Sequence, residues 1–270
     1  MVNLLMPNEA ELSIPLAKFD ELLDVRTKRY VLCLGMVHLI VERELKTNCD
    51  IQLFRQIGIV ASFIDEQLDD LNLNEKQDLL VSFDWLYKQL KNTTNYIQFK
   101  SIVCNYVEEH DLKFNCNEFN IRELYLFIDY CNQNNLSNIL GNFGKEIITC
   151  SILKQQATST SKIRQLLKKE GELVCSLLEN LLTKNHSKNP SFRNTIAFLV
   201  QCEQILNLAD DSIDALEDKS KNNIQVHNGT LHAIKMLGYL LNQIAKTAFY
   251  YPLKFTYYTP TLIGYFLRHR

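Results

Sequence analysis

A chain of 270 residues, 46% hydrophobic and 22% charged, is long enough to bury one large core and has the composition of a folded globular protein. Its net charge of −2 gives no general attraction to nucleic acid or to acidic membranes, so no nucleic-acid partner is expected. No run of about 18 apolar residues is present to span a membrane, and residues 1–9 lack the basic region and apolar core of a signal peptide, which predicts a cytoplasmic protein whose eight scattered cysteines are reduced.

No proline interrupts the chain from Leu16 to Asn189, and only eight glycines occur in the whole sequence. With Leu, Lys, Gln and Glu abundant, that scarcity predicts an all-α protein. In chain order, helices are expected near 17–46, 51–71, 75–92, 95–110, 119–134, 136–156, 160–184, 190–217 and 228–249, with a short one near 260–268. Ser159 suits an N-cap, Pro190 suits a first helical turn, and 185–189 reads as the loop between two helices. Neither a composition shift nor a repeat divides the chain, so 1–270 reads as a single domain.

The second of these helices carries an apolar run, 57–64, and closes on Asp65-Glu66-Gln67-Leu68-Asp69-Asp70. The eighth closes on Asp210-Asp211-Ser212-Ile213-Asp214-Ala215-Leu216-Glu217-Asp218. Helical spacing stacks Asp65 on Asp69, and Asp210 on Asp214 and Asp218, with Asp211 one step round. Like charges stacked on helices apolar enough to be buried cost stability through repulsion and desolvation. A shared cation relieves both. No His or Cys lies inside either cluster, so the expected ion is a hard divalent one, above all Mg²⁺. Polar, breaker-rich sequence follows each cluster, which predicts that both sit at helix C-termini, where the macrodipole favours a cation. Two such ends facing one another would form an acidic mouth over an apolar cavity.

These residues resemble the class I isoprenoid synthases, which hold Mg²⁺ against a prenyl diphosphate with two aspartate-rich motifs on facing helices. Ile64-Asp65-Glu66-Gln67-Leu68-Asp69 is similar to the first motif of the squalene/phytoene synthase branch, roughly V-D-D-I-V-D. Gln204-Ile205-Leu206-Asn207-Leu208-Ala209-Asp210-Asp211-Ser212-Ile213-Asp214 is similar to that branch's second motif, with Asp210 in place of an arginine. The same stretch also resembles the D-D-x-x-D of trans-prenyltransferases. No arginine pair follows the first motif, and of the Y-x-x-x-V-A-G-x-V-G helix only Gly171 and Val174 remain.

The resemblance implies a helical bundle of the isoprenoid-synthase type around a central apolar cavity. It implies Asp65, Asp69, Asp211 and Asp214 as catalytic metal ligands, assisted by Glu66, Asp210 and Asp218, with Asn207 in the second motif beside the substrate. The activity implied is Mg²⁺-dependent ionisation of a prenyl diphosphate, leading to chain coupling or to cyclisation. The alternative is a non-catalytic helical partner protein descended from such a fold. Further candidates for the substrate are Arg55, Lys145, Lys219 and Lys221 as holders of the diphosphate, and Phe63 as an aromatic face for a carbocation. Phe198 reads as core. The tail 262–270 is a candidate for peripheral membrane contact, and a homodimer is left open. His38 with His110-Asp111 is a weak match to a phosphohydrolase ligand set.

Overall fold

A computed structural model of the chain describes residues 23–112, 114, 117–186, 189–220, 225–226 and 228–259; the side chains of 184–186 and 214–220 lie outside that description. Among the described residues there is no strand. The helices are α1 (Val25–Leu45), α2 (Ile51–Asp70), α3 (Leu73–Lys91), α4 (Tyr96–Glu109), α5 (Glu118–Gln133), α6 (Ser137–Gln156), α7 (Thr160–His186), α8 (Phe192–Ser220) and α9 (Gly229–Tyr250), followed by further helical turns over 252–259.

Short polar side chains start these helices by accepting backbone N–H groups that the first turn leaves unpaired. Asp24, Asp50, Asn95, Asn117 and Asn228 do so directly, and Asn72 with Glu75 forms a full capping box at α3. Asp24 also corrects the expected start of α1 near residue 17. It is extended, its side chain takes the Thr27 N–H at 2.7 Å, and the helix begins after it. The turns over 252–259 were not expected. They open on Pro252, whose fixed φ and missing N–H suit a first turn. The helix expected near 260–268 lies outside the described residues.

α1 and α2 approach closely enough to need a glycine. A Cβ on Gly58 would stand 2.9 Å from the Val31 Cα. Around this pair the core divides by neighbour. Met36, Ile40, Phe54, Phe198 and Leu199 join α1 and α2 to α8. Val60, Phe99, Ile121 and Leu177 join α2 to α4, α5 and α7. Ile163, Leu167, Leu208 and Met236 join α7, α8 and α9. α6 packs between α3 and α7. Burial of each large side chain contributes about 1.5–3 kcal/mol. The described cysteines are all free, and burial pushes the Cys33 and Cys202 thiols up to about 12, as expected of thiols serving as small hydrophobes. No helix of the described residues is long and apolar enough to cross a membrane.

Candidate functional site

The first acidic cluster meets α1. Arg26 and Tyr30, one turn apart, turn the same face of α1 toward the end of α2. A single guanidinium nitrogen, Arg26 Nη2, lies 2.5 Å from Asp65 Oδ2 and 2.7 Å from Asp69 Oδ2. The Tyr30 hydroxyl donates to the same Asp65 oxygen at 2.5 Å. Burial alone would weaken the Arg26 charge, but Asp65 and Asp69 outweigh it and hold the guanidinium firmly protonated. Burial would likewise raise the Asp65 carboxyl, but Arg26, the Tyr30 hydroxyl and Lys154 bring it below its ordinary value. Asp69 goes the other way, since burial and the Asp65 charge both raise it. Two carboxylates sharing one cation titrate as a pair, the second losing its proton later than the first.

The second cluster is held differently. Asp210 lies 3.5 Å from Arg29 Nη1, at the outer limit of a hydrogen bond. Asp211 is buried, and His232 Nε2 donates to its Oδ2 at 3.1 Å, while Nδ1 meets the Thr160 hydroxyl at 3.0 Å. In the tautomer that carries its proton on Nε2, Nδ1 accepts from the Thr160 hydroxyl, and every group is satisfied. Asp211 was an expected site residue; His232 and Thr160 were not. His232 is the fourth residue of α9, on a face that nothing in the residue spacing connects to α8. Helix α8 ends at Ser220, two residues past Asp218, so the cluster occupies its C-terminal turns as expected; Asp210 and Asp211 stand at the inner end of the cluster, further back than the last turn that the end dipole reaches. Side-chain partners replace the dipole there. Asp214, Asp218 and Lys219 have side chains outside the described set, and Lys221 is outside it altogether.

Lys154 of α6 links the two clusters. Its ammonium pairs with Glu170 of α7 at 3.5 Å and lies in the fields of Asp69, Asp65 and Asp211 together. Glu170 first, then those aspartates, raise its pKa above the ordinary lysine value against the cost of burial. Glu170 feels Asp65 and Asp211 in turn, and its carboxyl is raised chiefly by burial. Behind it lies Glu203 of α8, which burial, Glu170 and Asp65 push up to about 7. Lys76 of α3, buried nearby, is lowered by desolvation. Acids from α2, α7 and α8 thus gather around Lys154, interleaved with bases from α1 and α3. Gly171 allows the close α7–α8 approach beside Glu203, since a Cβ there would stand 3.2 Å from Glu203 Cγ.

The remaining expected residues divide. Glu66 lies beside Asp65 at the end of α2, with a carboxyl raised by burial and then by Asp24. Asn207 faces α7, where its amide donates to the Leu167 carbonyl at 3.5 Å. Arg55 is buried about 15 Å back along α2 from Asp65, beside Glu123. Lys145 bridges Asp84 at 2.5 Å on an exposed face, away from the acids. Phe63 is core, edge-on to Phe114 at 5.4 Å. Phe198 is core as well, packed on Tyr251 and Tyr258. His38 is buried against Phe54 and the Cys49 carbonyl, while His110 lies on Tyr106 of α4, so that ligand set is not assembled.

Among the described residues no three His, Cys, Asp or Glu side chains gather at metal-binding distance. Mg²⁺ that bridges a phosphate group is usually held by only one or two carboxylates, with water and phosphate oxygens completing its shell. Asp65 and Asp69 supply such a pair. Their Oδ2 atoms close on one point filled by a cationic nitrogen, and both side chains remain open to solvent at 39% and 49% exposure. The donor set fits the ion. No known family profile matches this chain, and no curated protein or solved structure is similar enough to be matched to it.

Proposed function

We propose that this protein is a Mg²⁺-dependent, prenyl diphosphate-utilising synthase, a bundle of the isoprenoid-synthase type with its apolar cavity beneath the acidic clusters. The observation that carries this reading is Lys154, whose ammonium lies within the fields of Asp65, Asp69 and Asp211 at once. Acids from two clusters far apart in sequence thereby act on one ammonium. In this reading Asp65 and Asp69 hold the ion, joined from α8 by Asp211 and Asp214. Arg26 and Lys154 are placed to take phosphate oxygens, Arg26 through its planar fork and Lys154 as a point charge. Mg²⁺, when bound, supplies charge neutralisation to the departing diphosphate. The allylic cation left on the prenyl chain then couples to a second chain or cyclises.

A second reading, a non-catalytic relative that keeps the clusters for structure, is favoured by the way Arg26 and His232 occupy the carboxylates. One assay separates the two. Diphosphate release is measured with geranyl, farnesyl and geranylgeranyl diphosphates and Mg²⁺, for the native chain and for Asp65→Asn. A synthase releases diphosphate, and the variant loses turnover by orders of magnitude, each factor of ten being about 1.4 kcal/mol of transition-state stabilisation. No release from any of the three substrates overturns the synthase reading in favour of the second.

A further inference from the structure

Helix α9 is built inside out. The side it turns to α7 and α8 carries His232, Gln243 and Thr247, all buried, around Met236. The side it turns outward carries Leu231, Ile234, Leu237, Leu241 and Phe249, with Ile234 at 62% and Phe249 at 78% exposure. Their spacing of three, three, four and eight residues makes one continuous stripe about 27 Å long. Gly238 and Ala245 fill the gaps without a polar side-chain atom, and a Cβ added to Gly238 would meet nothing within 4 Å. Leu253 extends the apolar surface past the end of the helix. An exposed stripe of this extent marks a surface that something covers.

Charge on this part of the chain identifies the cover. After Asp218 no acidic residue occurs to the C-terminus, while Lys235, Lys246, Lys254, Arg268 and Arg270 all follow it. The net charge of the whole molecule conceals this asymmetry. On the helix, Lys235 and Lys246 fall along one flank of the stripe, where long side chains can snorkel beside a buried apolar face. That flank borders a groove of about 70 Å³ between α7, α8 and α9, lined by Arg164, Lys168, Lys246 and the amides of Gln204 and Gln243. Arg164 is stacked on the Tyr239 ring at 4.3 Å, and Lys168 also reaches Glu172 on its own helix at 3.5 Å. An apolar stripe edged by cations that converge on a small concavity matches an anionic lipid surface, acyl boundary to the stripe and phosphate to the groove. A second copy of the chain fits less well. A two-fold contact would set this acid-free, basic flank against its like.

We propose that α9 is a membrane-surface helix. Its outward stripe beds in the interface of an anionic phospholipid leaflet, and Arg164, Lys168 and Lys246 receive a lipid phosphate in the adjoining groove. The proposal assumes nothing about the acidic clusters. Sedimentation of the full chain with vesicles of phosphatidylcholine alone, or with about 30% phosphatidylserine added, tests it. The native protein should pellet with the anionic vesicles at low salt and be released as salt is raised. The double variant Ile234→Glu/Leu241→Glu touches only exposed positions and should lose at least roughly tenfold in partitioning while keeping its melting temperature. Arg164→Gln/Lys246→Gln should lose the preference for anionic over neutral vesicles. Native protein that stays in the supernatant with both vesicle types overturns the proposal. So does a dimer in light scattering that Ile234→Glu/Leu241→Glu dissociates while vesicle binding is unchanged.

Discussion

Arg26 is the residue on which the first acidic cluster depends. Its one nitrogen bridges two stacked carboxylates, so Arg26→Gln leaves Asp65 and Asp69 facing each other with no cation bonded between them. The site is partly solvated, and the loss should be about 1 kcal/mol, recovered when Asp65→Asn is added to relieve the repulsion. Thermal melts of the two single variants and the double variant read this directly. The same melts with Mg²⁺ and pyrophosphate should show a larger upward shift for Arg26→Gln than for the native chain, because the ion no longer competes with an internal guanidinium. An equal or smaller shift would mean that the carboxylates do not receive a metal. Asp211 behaves differently. Its partner His232 is buried and tied to Thr160, so His232→Ala should cost about 1–3 kcal/mol by leaving a buried carboxylate short of its donor.

At the scale of the helix, punctuation was the most legible signal and partners across helices the least. The absence of proline from Leu16 to Asn189 correctly implied helix after helix, and both aspartate clusters lie on helices, as their spacing assumed. Spacing within one helix, however, says nothing about which other helix answers it. Arg26 and Tyr30 on α1, Lys154 on α6 and His232 on α9 were therefore missed, although Lys154 interrupts an apolar face in much the way that drew attention to Lys145. Asp24 was readable as an N-cap but was overrun by the apolar pattern on either side of it. Asp24→Ala should cost about 1 kcal/mol by removing the acceptor for the Thr27 N–H, measurable as a shift in the denaturant midpoint.

For the molecule as a whole, the interior acids set a pH dependence. Glu203 is pushed up to about 7 by burial, Glu170 and Asp65, while in the unfolded chain it titrates near its ordinary value of 4.5. Between those two values the folded state binds the extra proton. The Glu203 contribution to stability is thus greatest at the acidic end of this window and falls as pH rises toward 7, after which it is flat. The depressed Asp65 carboxyl acts with the opposite sign but at lower pH, where its stabilisation is lost on acidification. Chemical denaturation at pH 5.5 and pH 8 should find Glu203→Gln more stable than the native chain at pH 8, by on the order of 1–3 kcal/mol, with the gap narrowing at pH 5.5. A gap that stays constant with pH would show that Glu203 titrates normally.

The contact at Gly58 bears on how quickly the first cluster can open. With backbone against backbone at 2.9 Å from the notional Cβ to Val31, α1 and α2 are already at closest approach and their spacing is set by main chain rather than by compressible side chains. Arg26 lies about one and a half turns from this contact, too near for the two helices to splay apart at one point and stay clamped at the other. Exchange of the guanidinium for another cation therefore falls to the rotamers of Arg26 alone, motions of picoseconds to nanoseconds rather than the microseconds to milliseconds of helix rearrangement. A cation arriving at Asp65 and Asp69 finds a gate that flickers, not a door that swings.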